Sequence, residues 1–185
     1  MGRPNLNLKC SLYLVDSRGK RKLLKTLRRD PFVRQLIDCI YSHLTSLNQS
    51  VQDITNTTRT WNQTTTYATA AVGDAARGIV VGTGSNAVTI GDYCLQTKIS
   101  HGTGSGHLYH CACTVTAPTK SGSTYTTEVY RQFINFSGGS ITVEEIGIYG
   151  FWSPYYFLFA RDTTGSIAVP DGAMLAVIYN FQTTV

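Results

Sequence analysis

A chain of 185 residues and 20.3 kDa has room for one sizeable core or a small domain with an appendage, so one main domain is expected. Only 15% of its residues are charged, against roughly 25% in an average globular protein, and Thr, Ser, Asn and Gln must then keep the surface in water. No run approaches the roughly 18 apolar residues that span a bilayer, and Met1-Gly2-Arg3-Pro4 leads into no apolar leader, so a soluble, cytoplasmically made chain without a membrane partner is expected.

The five cysteines, Cys10, Cys39, Cys94, Cys111 and Cys113, lack Cys-x-x-Cys spacing and read as reduced, mostly buried small side chains. The charge of +5 is uneven. Residues 1–40 hold ten basic and three acidic side chains, a net +7, which leaves −2 for the rest. A basic arm on a nearly neutral body suits an acidic partner, either nucleic acid or the acidic face of a protein, and the residues concerned are Arg18, Lys20, Arg21, Lys22, Lys25, Arg28 and Arg29. The plainer alternative is a solvated basic hairpin.

Leu6, Leu8, Cys10, Leu12 and Leu14 alternate with polar residues and Tyr13, the period of a half-buried strand. Asp16-Ser17-Arg18-Gly19 is a turn signal, after which the basic run 20–29 returns as a second strand. Asp30 and Pro31 form a helix start, and Phe32, Val33, Leu36, Ile37, Ile40, Leu44 and Leu47 follow at helical spacing. This amphipathic helix either packs on the body or docks between subunits, with Phe32, Leu36, Ile40 and Leu44 as its contact residues. Residues 48–77 are polar and small, with Trp61 and Tyr67 as the large anchors, and read as a linker or extended loop with at most one edge strand. From residue 78, short strands divided by Gly, Ser, Pro and Asp turns predict a sandwich or barrel, with strands near 79–81, 87–90, 93–100, 108–117, 125–136, 141–149, 155–161 and 173–183.

Residues able to carry chemistry are few. His101, His107, His110, Cys111 and Cys113 are zinc-ligand types, but strand alternation separates them and no paired spacing is present, so no metal is expected. The glycines of 82–84 and 102–106 match neither phosphate-binding pattern and read as hairpin turns. Glu144 and Glu145 are adjacent on a strand and face opposite sides, while Asp162 and Asp171 sit in turn contexts. With no Gly-x-Ser-x-Gly elbow either, neither catalysis nor a cofactor is expected. The aromatic run Tyr149, Phe151, Trp152, Tyr155, Tyr156, Phe157 and Phe159 is denser than a small core needs. Phe151, Trp152 and Tyr155, around Ser153-Pro154, read as subunit contacts, and Phe157 and Phe159 as core or interface.

The stretch 129–149, VYRQFINFSGGSITVEEIGIY, resembles a pattern in structural proteins of tailed bacteriophages and related viruses, where a strand ends in an Asn/Ser-Gly-Gly turn before Ile-Thr-Val-x-Glu-Ile-Gly-Leu-Tyr. FARD at 159–162 and IAVPDGAML at 167–175 look like the closing strands of the same module. The resemblance covers about the last hundred residues and implies a virion β-sandwich without assigning any residue a role. The expectation is therefore a mainly β chain: an antiparallel, jelly-roll-like β-sandwich at 78–185, a linker at 48–77, and an N-terminal β-hairpin and amphipathic helix forming an arm at 1–47. Its expected function is that of a self-assembling virion subunit in a capsid, decoration, connector or tail, present as a homo-oligomer with other virion proteins. The alternative is a module that binds carbohydrate or a host surface through the loops around Trp61, Trp152 and Tyr155.

Overall fold

The computed structural model describes residues 5–16, 18–27, 33, 36, 38, 48–61 and 67–184. The elements among them are strands: β1 (Asn5–Val15), β2 (Arg21–Leu27), β3 (Gln49–Gln52), β4 (Thr58–Trp61), β5 (Gly78–Gly82), β6 (Tyr109–Val115), β7 (Thr119–Ser121), β8 (Thr124–Ile134), β9 (Ile141–Trp152), β10 (Tyr155–Val169) and β11 (Met174–Thr184). The larger sheet runs β2-β1-β11-β8-β6, with β7 also paired to β8; the smaller runs β10-β9-β5, and β3-β4 forms a third. Every pairing between these strands is antiparallel.

Alternation explains how the two larger sheets meet. Leu8, Cys10 and Leu12 of β1, Val129 and Phe133 of β8, and Leu175, Val177 and Tyr179 of β11 project from one face of the larger sheet. They pack in one cluster with Ile79 and Val81 of β5, Ile146 and Ile148 of β9, and Ala160 and Val169 of β10. Each such aliphatic side chain contributes about 1.5 to 3 kcal/mol through burial. The expected mainly β, antiparallel fold is therefore present, in a sandwich-like packing.

The N-terminal hairpin is not a detached arm. β1 pairs with β11 along its whole length, from Asn5↔Thr184 to Val15↔Met174, so the first and last strands lie side by side in the body sheet. The helix expected over 31–47 is not seen as an element, and apart from Val33, Leu36 and Asp38 that stretch lies outside the described residues. Val33 is fully buried with Val80, Leu95, Tyr149 and Leu158, and its N–H donates to the Phe159 carbonyl at 3.1 Å.

Three further expectations need correcting. The stretch read as a linker contains the β3-β4 hairpin, whose Val51 and Trp61 pack on Phe157. The strands expected at 87–90 and 93–100 are absent, because buried side chains of β9 and β10 capture the backbone groups of this loop. Asp162 is not a turn residue: β10 continues past it to Val169 through an irregularity between Thr163 and Ile167, where Gly165 and Ser166 take positive φ.

The chain passes from β8 to the smaller sheet, turns through β9 and β10, and returns as β11 beside β8. Asn135 stitches the two crossings together. Its Nδ2 donates to the carbonyls of Gly139 and Val169, both at 2.7 Å, and its Oδ1 accepts from Ser137 N–H. Its backbone pairs with Ala173 and Gly172 across the same gap.

Candidate functional site

The β9-β10 hairpin ends in two directly opposed aromatic pairs, Trp152↔Tyr155 and Phe151↔Tyr156. Opposed positions share a sheet face and neighbouring ones alternate, so the tip presents aromatic rings on both sides. On one side Trp61, fully buried, lies 5.6 Å from Trp152 and 5.1 Å from Phe157 between ring centroids, and Trp152 lies 5.4 Å from Tyr155. On the other, Phe151 lies 5.4 Å from Tyr67 and 4.9 Å from Tyr156. Phe151, Trp152, Tyr155 and Tyr156 are each half-buried, so the rings are fixed from below and open above.

Each side also carries an arginine held by an aspartate. Arg59 Nε meets Asp53 Oδ2 at 2.7 Å, and its guanidinium lies 4.1 Å from the centre of the Tyr155 ring. Burial pushes the Asp53 carboxyl up, but bonds from the Thr55 hydroxyl, Arg59 and the N–H groups of Thr57 and Thr55 outweigh it and hold the pKa at about 2. Arg77 pairs with Asp74 at 2.7 Å and lies 4.9 Å from the Tyr67 ring and 5.3 Å from Phe151. Fixed rings flanked by fixed guanidinium groups can stack on planar or apolar surfaces and donate to acceptors.

Phe151, Trp152 and Tyr155 are thus brought together, whereas Phe32, Ile40 and Leu44 lie outside the described residues and Leu36 is half-buried. Arg59 and Arg77 were missed by reading the sequence. Arg59 had a signal, since in Thr58-Arg59-Thr60-Trp61 it shares a strand face with Trp61; Arg77 had none. Of the basic residues, Arg18, Lys20, Arg21 and Lys22 are exposed at the β1-β2 turn and on β2, Lys25 turns in to donate to the Thr164 carbonyl at 2.6 Å, and Arg28 and Arg29 lie outside the described residues.

The remaining polar groups bind the fold together. Glu145, fully buried, accepts from Gly84, Gln96 and Thr97 N–H and from Arg161 Nε at 2.9 Å. Arg161 also reaches Asp92 at 2.9 Å and the carbonyls of Asn86 and Ala87. Burial opposes charge on Arg161, but its bonds to Asp92 and Glu145 raise its pKa overall. Arg131, fully buried too, donates to the carbonyls of Cys111, Arg77, Ile79 and Asp74. Tyr179 donates to Asp162 in the core, where burial and the Asp162 charge push its phenol pKa well up. Glu144, on the opposite side of β9 from Glu145, accepts from the Ser166 hydroxyl at 2.7 Å.

His101 and His110 come within 5.6 Å of each other between ring centroids, and His101 Nδ1 accepts from His110 N–H at 3.0 Å. His107 instead sits at the Ser105 carbonyl at 2.8 Å. Among the described residues no three of His, Cys, Asp and Glu converge as metal ligands. An open groove of about 460 Å³ is lined by Thr83, Ser105, Ser137, Ser140 and Thr142, with Glu144 as its carboxylate. Among the described residues no helix is long and apolar enough to cross a membrane. Comparison of the chain with protein-family models, curated proteins and solved structures found no match.

Proposed function

We propose that this chain is a non-enzymatic structural subunit of a virus particle, made in the host cytoplasm, that assembles with copies of itself and with other virion proteins. The observation that carries this reading is the β9-β10 tip, where Phe151, Trp152, Tyr155 and Tyr156 stand half-buried between Arg59 and Arg77. Aromatic and arginine side chains that are rigid before contact lose little entropy on burial, which is why they dominate protein interfaces. The polar interior supports the same reading, because its charged groups are engaged in bonds that hold strands and loops. In this reading the fold is a jelly-roll-like β-sandwich, supported by the adjacency of the first and last strands and by the paired crossings around Asn135. The resemblance of residues 129–149 to virion β-sandwich proteins supplies the particle as the setting.

Light scattering of the purified chain, with negative-stain images of the same peak, tests the proposal. A ring, tube, shell or defined oligomer that dissociates on Trp152→Ala is the expected result. A monomer at every protein and salt concentration would overturn it. The aromatic pair Trp152 and Tyr155 with Arg59 favours one alternative, a carbohydrate- or host-surface-binding module, since sugars stack on such rings. Glycan-array binding by a monomer, lost on Trp152→Ala, would select that alternative.

A further inference from the structure

The chain carries a second patch of arginine and aromatic residues, far in sequence from the hairpin tip. Because Leu8, Cys10 and Leu12 face the core, Lys9, Ser11 and Tyr13 lie on the outer face of the larger sheet. The same alternation puts Ala176 and Ile178 of β11 and Tyr130 and Gln132 of β8 on that face, in the rows Tyr13↔Ala176↔Gln132 and Ser11↔Ile178↔Tyr130. Tyr130, Tyr13 and Gln132 are half-buried there, while Ser11, Ala176 and Ile178 between them are buried. The sheet curls enough for Arg21, on edge strand β2, to reach Tyr130 three strands away: Nη2 donates to the phenol oxygen at 3.5 Å and the guanidinium lies 5.7 Å from the ring centre.

Around this pair cations outnumber acids. Arg18, Lys20, Arg21 and Lys22 are exposed, Lys9 is half-buried, and Leu23, opposite Tyr13, leaves 53% of its surface in water. The neighbouring acids are Glu128, which lies in the Lys9↔Asn180 row, and Asp16. Asp16 Oδ1 accepts from Arg18 and Lys20 N–H, both at 2.9 Å, so it closes the turn and leaves the side chains beyond it cationic.

We propose that this outer face around the β1-β2 hairpin binds single-stranded nucleic acid, with Arg18, Lys20 and Arg21 meeting phosphates and Tyr130 and Tyr13 stacking on bases. Exposed cations beside half-buried aromatic rings are the two components such binding needs, a backbone-tracking charge and a stacking platform. A protein partner would also bury the rings, but the excess of exposed cations calls for a polyanion, and a second copy of β2 would set like charges against one another. The inference goes beyond the assembly reading and is separate from it, because particle formation and oligonucleotide binding by the free chain are read in different experiments.

Fluorescence anisotropy of a labelled single-stranded oligonucleotide, titrated with the full chain, tests it. With three phosphate contacts, affinity should fall about 20-fold between 50 and 200 mM salt, from a log–log slope of roughly −0.7 per contact. Lys20→Ser with Arg21→Ser, on an exposed edge, should remove roughly two thirds of that slope. Tyr130→Leu should weaken binding by about 5-fold or more while Tyr130→Phe keeps it, since stacking survives loss of the hydroxyl. Lys120→Ser, on the distant β7 hairpin, should change nothing. Absence of binding at 50 mM salt, or equal binding by the Lys20 and Arg21 double variant, would overturn the proposal. So would competition by polyglutamate as strong as by unlabelled oligonucleotide, which would mark an acidic-protein surface instead.

Discussion

His110 is fully buried with its ring 5.0 Å from Phe133, and neither ring nitrogen makes a full hydrogen bond. Burial, then the Arg131 charge and His101, push its pKa from 6.5 down to about 3, against weaker pulls from the Ile99 backbone and Asp74. Between those two values the unfolded chain takes up a proton that the folded chain refuses. The stabilisation is complete above the unfolded value and is lost as pH falls, by up to about 1.4 kcal/mol per pH unit, or about 2 to 3 kcal/mol between pH 6.5 and 4.5. Urea unfolding followed by tryptophan fluorescence, with Trp61 in the core as reporter, measures that loss. His110→Leu should flatten the pH dependence over this interval. At pH 7 it should be neutral or stabilising by about 1 kcal/mol, since two unpartnered buried nitrogens disappear. Equal losses in His110→Leu and the parent chain between pH 6.5 and 4.5 would refute the reasoning.

Glu145→Gln removes the charge facing buried Arg161 and should cost about 3 to 5 kcal/mol; because Glu145 also holds Gly84, Gln96 and Thr97 N–H, limited proteolysis should cut first within residues 84–97. Asn135→Ala leaves the carbonyls of Gly139 and Val169 short of a donor, and a thermal or urea melt should show a loss of about 2 to 4 kcal/mol. Gly78 has φ +70°, and an added Cβ would lie 2.8 Å from the Ala68 carbonyl oxygen and from Cys113 Sγ. Gly78→Ala should therefore destabilise the chain by about 2 to 4 kcal/mol, read as a shift in the urea midpoint.

Much of the candidate site was legible because it is local. Phe151, Trp152 and Tyr155 flank one turn, and a hairpin brings such neighbours together whatever the rest of the chain does. The opposition of Glu144 and Glu145 likewise follows from the pleat alone. Trp61 was visible as an anchor, but its place beside Trp152 depends on how the β3-β4 hairpin docks, and strand periodicity carries no information about docking.

By itself the sequence determined most of the longer strands, the turns between them and the antiparallel, mainly β class, because alternation and turn chemistry act over a few residues. Tertiary structure alone decided that β1 lies beside β11, that residues 83–98 form a loop, and that Arg131, Arg161 and Glu145 belong to the interior. The β1-β11 ladder joins opposite ends of the chain, and for the loop and the buried charges one reason serves. A buried charge is tolerated only where distant backbone groups converge on it, and that convergence exists only once the sheets have packed.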